Sequence, residues 1–445
     1  MFLHTKRMSI PVFAINLKSR TDRKQHVLQQ FYQKEEFDVQ CIEACKHRNG
    51  AIGLWKSIIY ILQNLVNAES DYVIICEDDH EFTNGYNKEY LFKCIDEARE
   101  NNVDVLLGGV SWFTTMIEVS EKLFWVEKFT GTQFTILFRK FFKSILEADF
   151  GNNDSADYKM CSLTENKFFM YPFISVQKDF GYSDATSKNN AEGRVSELFN
   201  NSVESVSILK KVNAFYQNNK AKTQLQFYDT ITLPTYVVTS PECSECRVHI
   251  EKQFAKRNEF DVIMVDSVKH KILTLSLWLS IRKVIETAIE NDDDVIVIST
   301  SDHEFTEDYS RDLFIQNIIE SNEEAVDYLS GGTDNFRVAL PVSKNKYWIN
   351  PCMSIQFIVV YKRFFEKILN EPFDENVIAA DLLSEMTSNK LVMFPFISVK
   401  KDLGHPCSFD GGNIFSISHA DQFAESSRRL GNIRSAYLKY QENTF

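Results

Sequence analysis

Two clusters of charged side chains in the first half of the chain have the composition and spacing of a reacting site. The first is Glu77-Asp78-Asp79-His80, directly after the apolar run 71–76. Carboxylates packed this densely repel one another, and such a group normally needs a cation. Mg2+ and Mn2+ are divalent ions that take carboxylate oxygens and bridge them to phosphates. The competing reading is a solvated acidic turn in which Asp79 caps the next segment. The second cluster is Lys18-Ser19-Arg20-Thr21-Asp22-Arg23. Lys18, Arg20 and Arg23 suit a diphosphate, and Thr21 or Asp22 suits the cap of a following helix. A basic loop that is merely solvated is the alternative.

The elements around these clusters are those of an α/β domain. Apolar runs and alternation predict strands over 11–17, 37–42, 71–76, 103–107 and 133–138. Helical spacing predicts helices over 21–34, 51–66, 87–100 and 139–148. Strands alternating with helices imply a mostly parallel, Rossmann-like sheet covered on both faces. In such sheets ligands sit at the carboxyl ends of strands, where both clusters fall.

The unit occurs twice. Asp79-His80-Glu81-Phe82 recurs as Asp302-His303-Glu304-Phe305, a step of 223 residues from 79 to 302. The same step carries Trp55 to Trp278, Gly108-Gly109 to Gly331-Gly332, Gln133-Phe134 to Gln356-Phe357, and the five residues 172–176 to 395–399. So many matches at one offset, half the length of a 445-residue chain, mark a tandem duplication. Two domains are expected, 1–222 and 223–445, with the join in the polar stretch 218–233. The second copy keeps its apolar positions and loses its charges. Thr300 and Ser301 stand for Glu77 and Asp78, Cys243 and Cys246 for Arg20 and Arg23, and Ser276 for Gly53. This is the pattern of a domain retained for packing or binding.

Composition narrows the class. A net charge of −13 disfavours a duplex nucleic-acid binder, which needs a basic face. No run of 18 apolar residues appears, so no membrane-spanning helix is expected and any membrane contact would be peripheral. The first ten residues lack the apolar core of a secretory signal. Of nine cysteines only Cys243 and Cys246 form a CxxC, with no second pair to complete a zinc site, so a reduced cytoplasmic protein is expected.

The order of motifs resembles glycosyltransferase family 25, which includes lipopolysaccharide-type and collagen galactosyltransferases. The stretch 13–23, with Ile15-Asn16-Leu17, Arg20, Asp22 and Arg23, is similar to that family's opening motif. Gly50-Ala51-Ile52-Gly53 with Ser57 resembles its Gly-rich helix start, and Glu77-Asp78-Asp79 its form of the DxD motif. Thr132–Arg139 resembles a later strand-to-helix segment, and Asp157 stands near a helix as a family aspartate does. Ile58 departs from the histidine often found after the serine, and His80 from an apolar residue. The resemblance covers most of 10–184 and recurs faintly in 234–407. It implies tandem GT-A-like folds and transfer from a nucleotide-sugar donor, a UDP-sugar, to a glycan or other hydroxyl acceptor. It implies donor binding by Asn16, Arg20, Asp22, Arg23 and Gly53. Mn2+ or Mg2+ is then expected on Asp79 and Glu77 with His80 beside it, Asp78 assisting in catalysis, and Asp157, or more weakly Asp154, as base toward the acceptor. For His80 the structural reading competes strongly, because His26 and His47 also recur, as His249 and His270. A non-catalytic binding or scaffold protein built from two transferase-like domains is the alternative. Metal-dependent phosphoryl transfer or hydrolysis would use the same acids, but no Walker loop supports it.

Overall fold

The computed structural model describes residues 9–182, 191–221, 231–403 and 418–441. Part of the segment 218–233, where the sequence places the join, lies outside them. The chain forms two compact units, Met1–Lys210 with Leu438–Phe445, and Lys211–Tyr437.

The first unit runs β1 (Ile10–Asn16), α1 (Thr21–Phe31), β2 (Phe37–Glu43), α2 (Gly50–Asn64), β3 (Tyr72–Glu77), β4 (His80–Phe82), α3 (Lys88–Glu100) and β5 (Val105–Leu107). It continues through β6 (Trp112–Phe113), β7 (Met116–Glu118), β8 (Leu123–Val126), β9 (Phe129–Thr130) and β10 (Phe134–Phe138). Then come α4 (Arg139–Leu146), α5 (Ala156–Leu163), β11 (Lys167–Met170), β12 (Ser175–Gln177) and α6 (Arg194–Asn218), whose residues from Lys211 on count with the second unit. Eight strands make one sheet in the order β2-β1-β3-β10-β5-β11-β8-β7. β1 lies between two parallel partners, which is why its sequence, Ile-Pro-Val-Phe-Ala-Ile-Asn, is apolar nearly throughout. α2 starts where the Asn49 side chain accepts a hydrogen bond from Ala51 N, and it buries Trp55, Ile58, Ile61 and Leu62 at helical spacing.

The sheet is mixed, which corrects the expectation of a mostly parallel one. β1 is parallel to β2 and β3, and β5 to β11, but β10 is antiparallel to both β3 and β5. β7, β8 and β11 also pair antiparallel. The reason is that β10 is entered from the strand-rich stretch β6–β9 rather than from a crossover helix. This insertion has a consequence for the site: it brings Gln133 and Thr132 alongside the end of β3, where Glu77 N donates to Gln133 O at 3.1 Å.

The second unit repeats the scheme: β13 (Leu233–Thr239), α7 (Ser244–Phe254), β14 (Phe260–Asp266), α8 (Leu273–Glu290), β15 (Val295–Thr300), β16 (His303–Phe305), α9 (Arg311–Glu323) and β17 (Tyr328–Ser330). Then follow β18 (Val338–Pro341), β19 (Lys346–Asn350), β20 (Phe357–Tyr361), α10 (Lys362–Asn370), α11 (Ala379–Met386), β21 (Lys390–Met393), β22 (Ser398–Lys400) and α12 (His419–Gln441), whose residues from Leu438 on count with the first unit. Its sheet order, β14-β13-β15-β20-β17-β21-β19-β18, is that of the first unit element by element. The repeat extends to single contacts. The Trp125 indole N–H donates to Glu165 O at 2.7 Å, and Trp348 donates to Ser388 O at 2.7 Å. Phe82 N donates to Gln30 Oε1 at 3.0 Å, and Phe305 N to Gln253 Oε1 at 3.0 Å. Among the described residues no helix is long and apolar enough to cross a membrane.

Candidate functional site

In the first unit the ends of β1, β2 and β3 open onto a cavity of about 670 Å³. β1 and β3 run in register with Ile15 beside Glu77, so the acidic turn after β3 and the basic loop after β1 meet across the strand ends. Arg20, Arg23, Gly53, Glu77, Asp78 and Asp79 all line the cavity. Six of the expected site residues are thus brought together.

The three carboxylates have separate environments. Asp78 is buried with both oxygens occupied: Asn16 Nδ2 donates to Oδ2 at 2.8 Å, and Arg23 Nη1 donates to Oδ1 at 3.2 Å. Asp78 therefore anchors Arg23 rather than standing free as a catalytic group. Asn16 also donates to Arg20 O at 3.0 Å, so it ties the basic loop to the acidic turn. Asp79 Oδ2 lies 3.4 Å from Arg23 Nη1, while Asp79 Oδ1 is shielded from solvent with no hydrogen-bond partner. Glu77 accepts from the Thr132 hydroxyl at 2.6 Å. Burial pushes the Glu77 carboxyl well above the usual range, and the charge of Asp79 pushes it further. Asp79 is likewise raised by burial and by Asp78, against the lowering pull of Arg23. Burial thus raises two neighbouring carboxyls, one with an idle oxygen, and Arg23 offsets only part of the rise at Asp79.

The cationic side is built by loops. Arg20 takes the N-cap position of α1, where no side chain caps the helix, so the first backbone N–H groups of α1 keep their capacity for an anion. The Arg23 guanidinium lies 4.7 Å from the Phe180 ring centre and 4.5 Å from that of Tyr182, and Arg20 lies 4.8 Å from Tyr182. Lys46, His47 and Arg48, after β2, line the cavity as well. A basic run directly after a strand was the available sequence signal for them. Thr132 had no comparable signal, because its partner Glu77 is 55 residues away. Gly53 permits close approach: a Cβ there would sit 2.6 Å from Cys45 O.

Other expected residues stand elsewhere. Asp22 is exposed in the first turn of α1 and is not among the residues lining the cavity. Asp157 is half-buried in the first turn of α5, accepting from the Ser155 hydroxyl and from Tyr158 N at 2.9 Å. It is not among the residues lining the cavity, and its charge makes only the smallest contribution to the rise at Glu77. Asp154 is used by its own loop, accepting from Gly151 N at 2.7 Å and pairing with Lys159 at 3.0 Å. His80 corrects the expectation of a metal ligand. Its ring is fully buried, Nδ1 is 2.8 Å from the Ser175 hydroxyl, and the ring packs among Phe31, Phe82 and Phe134. Burial drives its pKa down to about 3, so it is a neutral core residue.

The second unit places uncharged groups at the points of Glu77 and Asp78 and keeps one carboxylate, Asp302, at that of Asp79. The Thr300 hydroxyl donates to Asp302, and Ser301 is buried where Asp78 stands in the first unit. Cys243 and Cys246 form a disulfide, where reduced thiols were expected.

No known protein family matches the chain, and no curated protein matches it in sequence. Among solved structures it is similar to apo UDP-glucose pyrophosphorylase, at 11% identity and a TM-score of 0.27, over 42% of this chain and 81% of that one. It is similar also to UDP-glucose pyrophosphorylase complexed with UDP-glucose, at 10% identity and a TM-score of 0.27, over 42% and 80%. A likeness at that score carries no functional weight.

Proposed function

We propose that the first unit is a metal-dependent glycosyltransferase, moving a sugar from a UDP-sugar or related donor to a glycan or other hydroxyl acceptor. The observation that carries this reading is the idle, solvent-shielded Asp79 Oδ1 beside Glu77, on a cavity whose opposite wall is cationic. Among the described residues no three His, Cys, Asp or Glu side chains converge on a ready-made metal cage. Two carboxylates fit an ion that takes its remaining ligands from substrate phosphates and water, as Mg2+ commonly does. Asp79 and Glu77 would hold the ion, which when bound supplies Lewis-acid compensation of charge on the leaving diphosphate. Arg20, Lys46 and the open N-terminus of α1 bind the diphosphate from the other side. Asn16 and Asp78 keep Arg23 in place. Asp157 is the carboxylate assigned to accept the proton from the acceptor hydroxyl oxygen.

One observation favours the binding-protein alternative. Arg23 already supplies positive charge to Asp78 and Asp79, as it would in a site that no longer takes a metal. Nucleotide release across a panel of nucleotide sugars, with Mn2+ and with chelator, separates the two. Release with at least one donor, dependent on Mn2+ and lost in Asp79→Ala, supports the enzyme. UDP binding that is indifferent to Mn2+, with no release from any donor, supports the alternative.

A further inference from the structure

The pair that replaces the basic loop in the second unit has a chemistry of its own. Cys243 and Cys246 are joined across the start of α7, while Cys41, Cys45, Cys76, Cys94, Cys161 and Cys352 are free. Among the described residues, therefore, no framework of disulfides holds the chain. Nor does the helix depend on this one. α1, the equivalent helix of the first unit, has the same length of 11 residues and forms with Arg20 and Arg23 at those two positions. A link at a sequence separation of 3 closes so short a loop that it removes little entropy from the unfolded chain.

What the position does provide is a seat for a thiolate. Cys243 is the N-cap residue of α7, and its Sγ accepts a hydrogen bond from Cys246 N at 3.2 Å. The N-terminus of a helix stabilises negative charge on sulfur. The two cysteines are also unequal: Cys243 is 8% exposed and Cys246 is 1% exposed. An external thiol therefore meets Cys243 first.

We propose that Cys243–Cys246 is a redox-active disulfide that exchanges with small thiols of the glutathione class, independently of any chemistry in the first unit. The thiolate of one external thiol attacks Cys243 Sγ. The Cys243–Cys246 bond breaks and Cys246 leaves as thiolate. A second external thiolate then attacks the external sulfur of the mixed disulfide and releases Cys243 as thiolate. Two thiols become one disulfide, two electrons pass to the protein sulfurs, and two protons follow them. In the reverse direction, the Cys243 thiolate attacks an oxidised partner and Cys246 resolves the mixed disulfide.

The test uses the folded full-length protein in glutathione buffers of graded ratio, with differential alkylation and mass spectrometry of the peptide containing both cysteines. The pair is expected to change together, as one two-electron transition reached without denaturant. A pair that stays oxidised at the most reducing ratio until guanidinium unfolds the chain would overturn the proposal, and so would a pair that stays reduced at the most oxidising one. With oxidised glutathione, Cys246→Ser is expected to accumulate a mixed disulfide at Cys243, at least tenfold more than Cys243→Ser accumulates at Cys246. Equal accumulation would overturn the assignment of Cys243 as the attacking sulfur. If either variant fails to fold, the wild-type titration decides by itself.

Discussion

The two units carry the same sheet, strand for strand, and differ where the strands end. In the first, β3 delivers Glu77, Asp78 and Asp79 to a turn faced by Arg20 and Arg23. In the second, β15 delivers Thr300, Ser301 and Asp302 to a loop closed by Cys243 and Cys246. Asp78 and its partner Arg23 are replaced together, while the carboxylate of Asp79 persists as Asp302. Removing Arg23 alone would leave Asp78 buried with one hydrogen bond and an unbalanced charge, a cost of about 3 to 5 kcal/mol. Replacing Asp78 by Ser301 and Arg23 by Cys246 removes both charges and their desolvation. The buried pair at the first site is thus costly to keep and costly to break singly.

The comparison is broken most directly by exchanging the fates of the two aspartates. Asp79→Ala is expected to lower nucleotide release a hundredfold or more, on the order of 3 kcal/mol of transition-state stabilisation. Asp302→Ala is expected to leave release nearly intact and to cost about 1 kcal/mol of stability, because Asp302 serves as acceptor for the Thr300 hydroxyl. Both variants must keep a cooperative melting transition. If Asp302→Ala abolishes release in a folded protein and Asp79→Ala does not, the active unit has been assigned backwards. Calorimetry on the full chain sharpens the point. One Mn2+-dependent UDP site per chain is expected, lost in Asp79→Asn and kept in Asp302→Asn; two equivalent sites would remove the distinction between the units.

Much of the site's scaffold is legible in the sequence. The strands ending at both clusters are long apolar runs, and the helices between them have clear spacing, so β1, α1, α2 and β3 can be read directly. The stretch β6–β9 is not legible, because strands of two to four residues are too short to show a period. That stretch turns β10 antiparallel and supplies Thr132. His80 is misread for a different reason. It adjoins the acids in sequence, yet it opens β4 and faces the aromatic core. The chain does carry the clue: His303 persists where the matching carboxylates of Glu77 and Asp78 are gone, as expected of a core residue. Arg23 was expected to meet the diphosphate, and adjacency could not show that Asp78 and Asp79 already engage it. The oxidation state of Cys243 and Cys246 is likewise not written in a spacing.

Gly53 and Ser276 offer a subtler comparison. At Gly53 a side chain would run into Cys45 O, whereas in the second unit the Ser276 hydroxyl donates to Val268 O, the matching carbonyl, at 2.5 Å. The second unit has adjusted its loop to accept the side chain. Gly53→Ala is expected to cost about 2 to 3 kcal/mol, as overpacking does, and to displace the Cys45–Arg48 wall of the cavity. UDP affinity should fall with it. Ser276→Gly is expected to cost about 1 kcal/mol for the lost hydrogen bond, with no change in UDP binding. Melting curves and UDP titrations of the two variants check this, and a UDP response to Ser276→Gly would speak against the assignment.

The smallest expected effect concerns what the units share. His303, like His80, is buried among aromatic rings, with Nδ1 at 2.7 Å from the Ser398 hydroxyl, and burial holds its pKa well below the ordinary value. The neighbouring His249 and Arg257 lower it further. In the unfolded chain the same imidazole takes a proton near pH 6.5. Between that pH and its lower folded value, the unfolded state binds more protons than the native one. Stability therefore rises with pH across this window and is lost as pH falls below about 6.5. By pH 5.5 the buried histidine should have lowered the stability of the second unit, whereas in the first unit the raised carboxyls of Glu77 and Asp79 act in the opposite direction, because their folded state holds protons that the unfolded chain has released. His303→Gln lowers stability at every pH, yet it should flatten the slope between pH 6.5 and 5 in the transition of the second unit. The measurement is the pH dependence of denaturant midpoints for wild type and variant. A slope unchanged by the substitution would mean that His303 does not stay neutral in the folded protein. The acid sensitivity of the second unit would then have to come from other groups.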